Sequence, residues 1–509
     1  MIFIEVPWTD QIGFPILATM QLFPLFAASI LFYFRHSKSL FRLAALACVI
    51  EILLAIYLYL SYESHTDTMQ FAEQFKIFGP LAYHAAVDGV SIIFILLTTV
   101  LTFLVLLYGK TIPLARPYHF PPILLAVEAS VISLYCNVDL LWFALISLIE
   151  IVLVGILLWR WATSPDRALA MTRYLQFMGF SLSLFLVGVI MLGWNYADMH
   201  NGIWSFDLYT LAQNEIPLKF SSIIFFLLFY GLAIRIPLFP LHGWLPVVLE
   251  HGTIALAPVF LLGLKIGVYG MLRFVFPIVP DAVLEWHEFI VAFAVAGVFY
   301  AALLALMQLN LRRLLSFAVV SHTSILTIGL FSLNPIAFQG SVMLSVNFGL
   351  ATSGLMFMIG FIYWRTGTLL LSRLGGLFEL LPLVGFAFLI AGLSIVGMPG
   401  TPGFDAVHLV LEASIERFGA LVTIAAAIGN VIAAGFLLWS FQRAFLTQND
   451  NFMVLNRSST SELKMEKFIA ASIILMLLLA GFFSEPWLQL IEQPLNGLGA
   501  LFGHAHEPH

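Results

Sequence analysis

The chain has 509 residues, 61% of them hydrophobic and only 10% charged, where an ordinary soluble domain carries about 25% charged residues. Its net charge of -6 is thinly spread, with no basic face for nucleic acid, and both cysteines, Cys48 and Cys136, fall in apolar stretches, which argues against a disulfide framework or a cysteine-ligated cluster. The chain reads as a polytopic all-α membrane protein. Its first ten residues lack the positive region of a signal peptide and carry Glu5 and Asp10, so the N-terminus is expected to stay attached and face outward.

A spanning helix needs about 20 mostly apolar residues. Fourteen spans are predicted, near 14-35, 40-62, 85-108, 120-136, 138-160, 171-194, 219-241, 254-278, 287-308, 314-334, 338-363, 376-398 continuing into 404-417, 418-446 and 467-490. Alternate connections collect basic residues: Arg35, Lys38 and Arg42, then Lys110 and Arg116, Arg160, Arg167 and Arg173, Arg312 and Arg313, Arg365 and Arg373, and Arg443, Arg457, Lys464 and Lys467. The others are mostly acidic or neutral, with Lys76, Lys219 and the Glu416-Arg417 turn as exceptions. Basic loops stay on the cytoplasmic side, so both termini are expected outside, and a bacterial inner membrane is the expected location.

The seventh span is interrupted at Pro237-Leu-Phe-Pro240 and the twelfth at Gly397-Met-Pro-Gly-Thr-Pro-Gly403, where Pro399 and Pro402 repeat the same spacing. Irregular backbone survives at membrane depth only where protein or a water-filled cavity satisfies it. The breaks lie 162 residues apart, close to a five-helix unit, and five being odd, consecutive units are inverted. The expected organisation is 1-118 (spans 1-3), two inverted repeats at 119-280 (spans 4-8) and 281-447 (spans 9-13), and 448-509 as linker, last span and tail.

Five stretches carry a family resemblance: Tyr83-His-Ala-Ala-Val-Asp-Gly-Val-Ser91, Pro237-Leu-Phe-Pro-Leu-His-Gly-Trp-Leu-Pro246, Lys265-Ile-Gly-Val-Tyr-Gly-Met-Leu-Arg-Phe274, Leu311-Arg-Arg-Leu-Leu-Ser-Phe-Ala-Val-Val-Ser-His322 and Gly397-Met-Pro-Gly-Thr401. The chain resembles the antiporter-like membrane subunits of respiratory complex I, a group shared with multisubunit cation/proton antiporters, and within it the M-type chain of NADH:quinone oxidoreductase. The resemblance implies a proton pathway along ionisable residues at mid-membrane. Lys265 and His322 match it, Lys265 as a group that sheds its proton when desolvated, His322 as a relay or else a hydrogen-bonded core histidine. At the family's seventh-span lysine this chain has Arg235, a cation that does not give up its proton. The fifth-span acid falls on Leu148; Glu150 is two positions on and about 200° around the helix, leaving open whether it reaches Arg235.

The eleventh span has Phe348 where the family has a histidine, and the twelfth has Val407 at the expected glutamate. His408, with Asp405 and Glu412 near it, is a candidate exit or a cap on the half-helix after the break. Glu128 matches a family acid and is expected in a structural or pathway role, and Glu51 is expected against a neighbouring helix or subunit. Asp88 reads as a helix cap, His242, Gly243 and Trp244 as packing at the break, Glu250 and His251 as an entry site or a solvated pair, and His504, His506 and His509 as an exposed tail or metal ligands.

The first expectation is therefore a subunit that conducts protons or cations, with other membrane subunits and lipid as partners and no cofactor of its own. A membrane partner in inorganic-carbon (DAB-type) uptake and a non-conducting scaffold are the alternatives. A buried mid-membrane cation opposes the scaffold, because an idle chain has no reason to keep Lys265.

Overall fold

The computed structural model describes residues 4-78, 81-448 and 460-503. Its helices are α1 (Ile16–Tyr33), α2 (Leu40–Ser61), α3 (Gly89–Thr111), α4 (Phe120–Cys136), α5 (Leu140–Arg160), α6 (Arg167–Met199), α7a (Leu218–Arg235) and α7b (Leu245–His251), α8 (Val259–Ile278), α9 (Pro280–Leu306), α10 (Leu311–Leu330), α11 (Pro335–Thr366), α12a (Pro382–Ile395) and α12b (Pro402–Phe418), α13 (Ala420–Phe441), α14 (Thr460–Phe482) and α15 (Glu485–Gly499). Among the described residues thirteen helices are long and apolar enough to cross a membrane. The remaining predicted span is α12, whose two halves of 14 and 17 residues are each short of a full crossing.

The helices sort into an inner and an outer set. The apolar windows of α8, α10 and α11 are 94%, 94% and 100% buried, whereas those of α2, α6 and α14 are 33%, 33% and 28% buried and turn most of their surface outward. The inner set is polar beyond what lipid would accept. Thr323, Ser324 and Thr327 of α10 are buried, and each hydroxyl donates to the carbonyl four residues earlier, at 2.7, 2.9 and 2.8 Å. Satisfied in this way, hydroxyls line a protein interior at little cost. Small residues set the packing distance: a Cβ on Gly349 of α11 would lie 2.6 Å from the Gly263 carbonyl oxygen of α8, so these backbones approach as only glycine allows.

Both expected interruptions are present, between α7a and α7b and between α12a and α12b. In the second, Gly397 and Gly400 hold φ of +79° and +86°, conformations that other residues rarely adopt. A third break was not expected. At Leu264–Lys265 the chain leaves helical geometry between a wide turn at Val259–Gly263 and the helix resuming at Ile266, so α8 is discontinuous at its lysine. Wide turns of this kind recur at functional sites.

The sheet is the other departure from an all-helical reading. Strands β1 (Glu5–Pro7), β2 (Met69–Phe78) and β3 (Leu81–Val87) pack in the order β1-β2-β3, parallel then antiparallel, with Gln74 opposite His84. The first residues of the predicted third span are thus strand, and α3 starts at Gly89 behind Asp88, whose carboxylate accepts the Ser91 N–H at 2.9 Å. At the chain's other end α14 stops at Phe482, and the separate amphipathic helix α15 packs on α3 and α11.

Candidate functional site

Arg235 is the last residue of α7a, where carbonyls lose their helical partners. Its guanidinium forms an ion pair with Glu150 of α5 and donates to Ser147 Oγ at 3.0 Å, with both charged side chains at most 10% exposed. The question of register is answered by the buried stripe of α5. Phe143, Ser147, Glu150, Ile151 and Val154 face inward at helical spacing, whereas Leu148 is 49% exposed on the opposite side. An acid at 148 would point away from Arg235. A cavity of about 20 Å³, room for one water, joins Glu150, Arg235 and Tyr174 to Leu264, Ile266 and Gly267 at the α8 break.

Lys265 sits at that break, 3% exposed. Its Nζ donates to Thr323 Oγ1 of α10 at 3.3 Å and lies 5.7 Å from the centre of the Phe348 ring of α11, and among the described residues it forms no ion pair. Phe348 therefore offers the ammonium an aromatic face and no proton acceptor. His322 follows one residue before Thr323. Its Nδ1 lies 2.8 Å from the Ala318 carbonyl, its ring meets Phe348 edge to face at 5.4 Å, and Asn430 of α13 stands beside it. Glu150, Arg235, Lys265 and His322 thus form a buried row across α5, α7a, α8 and α10.

The row ends at the α12 break, where the freed carbonyls are held by two amides that sequence reading passed over. Asn347 Nδ2 donates to Ser394 O at 2.9 Å, and Asn430 Nδ2 donates to Val396 O at 2.7 Å. The α7 break is held similarly: Trp244 Nε1 donates to Ile234 O at 3.0 Å and Ser181 Oγ to Gly231 O. His242 stacks on Phe239 and meets Tyr300 edge to face, which makes it packing around the break, with Pro237 and Pro240 shaping the turn. Pro399 and Pro402 do the same at the second break, Pro402 opening α12b.

Other expected residues lie elsewhere. The His408 side chain is 74% exposed on the outward side of α12b, 4.0 Å from Glu412, and so is not brought to the row. Glu250 pairs with partly exposed Arg313 at 3.4 Å, while buried Arg312 donates to the Glu250 carbonyl at 2.9 Å and to Thr163 Oγ1 at 2.7 Å, anchoring the end of α7b. Glu128 and Glu51 are fully buried within the chain, on α4 and α2, away from the row. His504, His506 and His509 fall outside the described residues.

Arg273 is a site residue missed in the sequence. Besides capping α3, Asp88 pairs with Arg273 of α8 at 2.6 Å, and the guanidinium also donates to Tyr269 Oη and Ser91 Oγ at 3.2 and 3.1 Å. The signal was present as an arginine inside an apolar span.

At the sheet end His84 clamps three segments: Nε2 lies 2.7 Å from Glu5 of β1, and Nδ1 pairs with Asp207 in the α6-α7a connection. Burial alone would lower this imidazole, but the two carboxylates outweigh it and hold it up at about 9. Folding therefore favours the protonated form, so the clamp contributes fully below the ordinary histidine value of 6.5 and is lost as pH rises through about 9. Amide hydrogen exchange in 81–87, corrected for its intrinsic pH dependence, is expected to step up near that pH, and His84→Gln to abolish the step; a flat corrected profile would show that the clamp holds nothing.

A family model described as NADH:quinone oxidoreductase/Mrp antiporter, transmembrane, matches residues 137–436. NADH-quinone oxidoreductase subunit M of Rickettsia prowazekii is 27% identical over 498 residues, covering 95% of this chain and 98% of that protein. The chloroplastic NAD(P)H-quinone oxidoreductase chain 4 of Physcomitrium patens is 29% identical over 494 residues, covering 94% and 97%. Two solved structures share the fold: a chain of respiratory complex I from Thermus thermophilus with bound NADH superposes with TM-score 0.83 at 23% identity (96% of this chain, 100% of that chain), and a chain of the Mrp complex from Dietzia sp. with TM-score 0.83 at 18% identity (97% and 99%).

Proposed function

Because the chain belongs to the NADH:quinone oxidoreductase/Mrp antiporter transmembrane family, we propose that it conducts protons or cations within a multi-subunit membrane assembly, coupling that movement to a redox reaction held by its partners. Electron carriers belong to those partners. The observation that carries the reading is Lys265, a buried lysine without an ion pair among the described residues, placed at a helix break between the Glu150–Arg235 pair and His322. Relatives named for quinone oxidoreductase favour redox coupling over inorganic-carbon uptake, and the buried lysine speaks against an idle scaffold.

Within the row the roles divide by chemistry. Arg235 is a fixed charge: while Glu150 holds it, the field it exerts on Lys265 is partly cancelled, and when the pair opens its cation pushes the Lys265 proton away. His322 is the acceptor on the far side, the residue next to the threonine whose hydroxyl Lys265 touches. Glu128 and His408 lie off this line, His408 on a face open to a neighbouring subunit. The two breaks suit inverted repeats at 119-280 and 281-447, and the basic loops suit both termini outside a bacterial inner membrane.

The test is proton flux into vesicles holding the native assembly, energised by its partners' substrates. Lys265→Ala is expected to abolish flux through this subunit with the assembly intact; unchanged flux would remove the conducting role.

A further inference from the structure

A second set of buried acids stands apart from the Lys265 row. Glu51 lies midway along α2 and Glu128 midway along α4, two helices packed in contact, both side chains fully buried, and neither oxygen of either carboxyl has a hydrogen-bond partner among the described residues. The α2 helix is otherwise mostly outward-facing, so Glu51 is placed inward by its stripe of Ala44, Ala47, Cys48, Ala55 and Leu58. We propose that Glu51 and Glu128 form a second proton-binding site, in which at least one carboxyl holds an exchangeable proton, reached from the sheet end past Glu73, Tyr83 and Gln21. The proposal goes beyond the conducting row and does not depend on it.

Two buried carboxylates with no cation paired to either cannot both be charged in such surroundings; protonating one of them removes a buried charge. A metal ion is the poorer occupant. Among the described residues no group of three or more His, Cys, Asp or Glu side chains is placed to hold one, and hard cations take six or more oxygens. The groups facing the pair are the thiols of Cys48 on α2 and Cys136 on α4.

The approach starts on polar side chains. Buried Glu73 of β2 accepts the N–H groups of Leu17 and Ala18 at the start of α1, at 2.8 and 2.9 Å. Tyr83 Oη lies 3.5 Å from Glu73, Gln21 Nε2 donates to Tyr83 Oη at 2.9 Å, and the Cys136 thiol at the end of α4 stands beside Gln21. Burial pushes the Glu73 carboxyl up, to about 7 once the two amides and Tyr83 pull it back.

Infrared difference spectroscopy of the native assembly at neutral pH tests this. The wild-type protein is expected to show a protonated-carboxyl stretch that shifts on transfer to heavy water and is lost in the E51Q/E128Q variant; Y83F is expected to keep the band and slow its exchange. If the double variant does not assemble, E51Q and E128Q singly are expected to weaken or move the band, each by removing one of the two carboxyls. On the unaltered protein a hydrophobic carbodiimide, which adds to a protonated carboxyl, is expected to label Glu51 or Glu128. A wild-type protein with neither band nor label, or a band that survives unmoved in the variants, overturns the proposal, and so does a band that disappears with added sodium at constant pH, which would make the pair a cation site.

Discussion

Lys265→Arg is expected to stop proton translocation as completely as Lys265→Ala, by about 100-fold or more as for loss of a general acid-base group, while Arg235→Lys leaves it running. All three changes are at buried cations, yet they separate charge from proton exchange. Arginine at 265 keeps a positive charge between Thr323 and Phe348 but holds its proton at any working pH, so the step that passes a proton to His322 has no donor. At 235 the proposed task is electrostatic. A lysine there still carries charge opposite Glu150 and loses only the second hydrogen bond to Ser147. The measurement is initial acidification of vesicles with a pH-sensitive dye, with assembly checked by size exclusion. Substantial flux with Lys265→Arg would mean that the charge at 265 is used and its proton is not.

That contrast depends on which parts of the row could be read from the chain. Proline and glycine punctuate Pro237 to Pro240 and Gly397 to Gly403 so strongly that both expected breaks are visible locally. The break at Leu264–Lys265 has no such mark: Leu261-Leu-Gly-Leu-Lys-Ile-Gly267 reads as apolar helix, and its irregularity goes with the close approach of Gly263 to α11. The same holds for Asn347 and Asn430. An amide in an apolar span does not reveal that it will meet a free carbonyl 47 or 34 residues away. The Glu150–Arg235 pair stays open in the sequence for a different reason: counting from Asp139 by resemblance points to 148, whereas the inward stripe of α5 passes through 143, 147, 150 and 154. The sheet was missed because Met69 to Phe78 is a short alternating run between two strong spans, and the strand after it was absorbed into the apolar stretch that becomes α3.

Glu150→Ala is expected to destabilise the chain by about 3–5 kcal/mol, more than removing both charges together, because it leaves the Arg235 guanidinium buried with one hydroxyl for a partner. The pair's own net worth is small, since withdrawing two charges from water offsets most of their attraction, so Glu150→Gln with Arg235→Gln should recover a large part of the loss. Thermal unfolding of the purified assembly, read for the wild type, the two single variants and the double, gives the coupling directly. Additive losses would show that Glu150 and Arg235 do not act as a unit. In the double variant the fixed charge beside the α8 break is gone while the fold is kept, so its flux reports what Arg235 does for Lys265. Normal flux would leave the lysine working without that field, whereas lost flux in a stable double variant assigns the opening and closing of the Glu150–Arg235 pair to the translocation step itself.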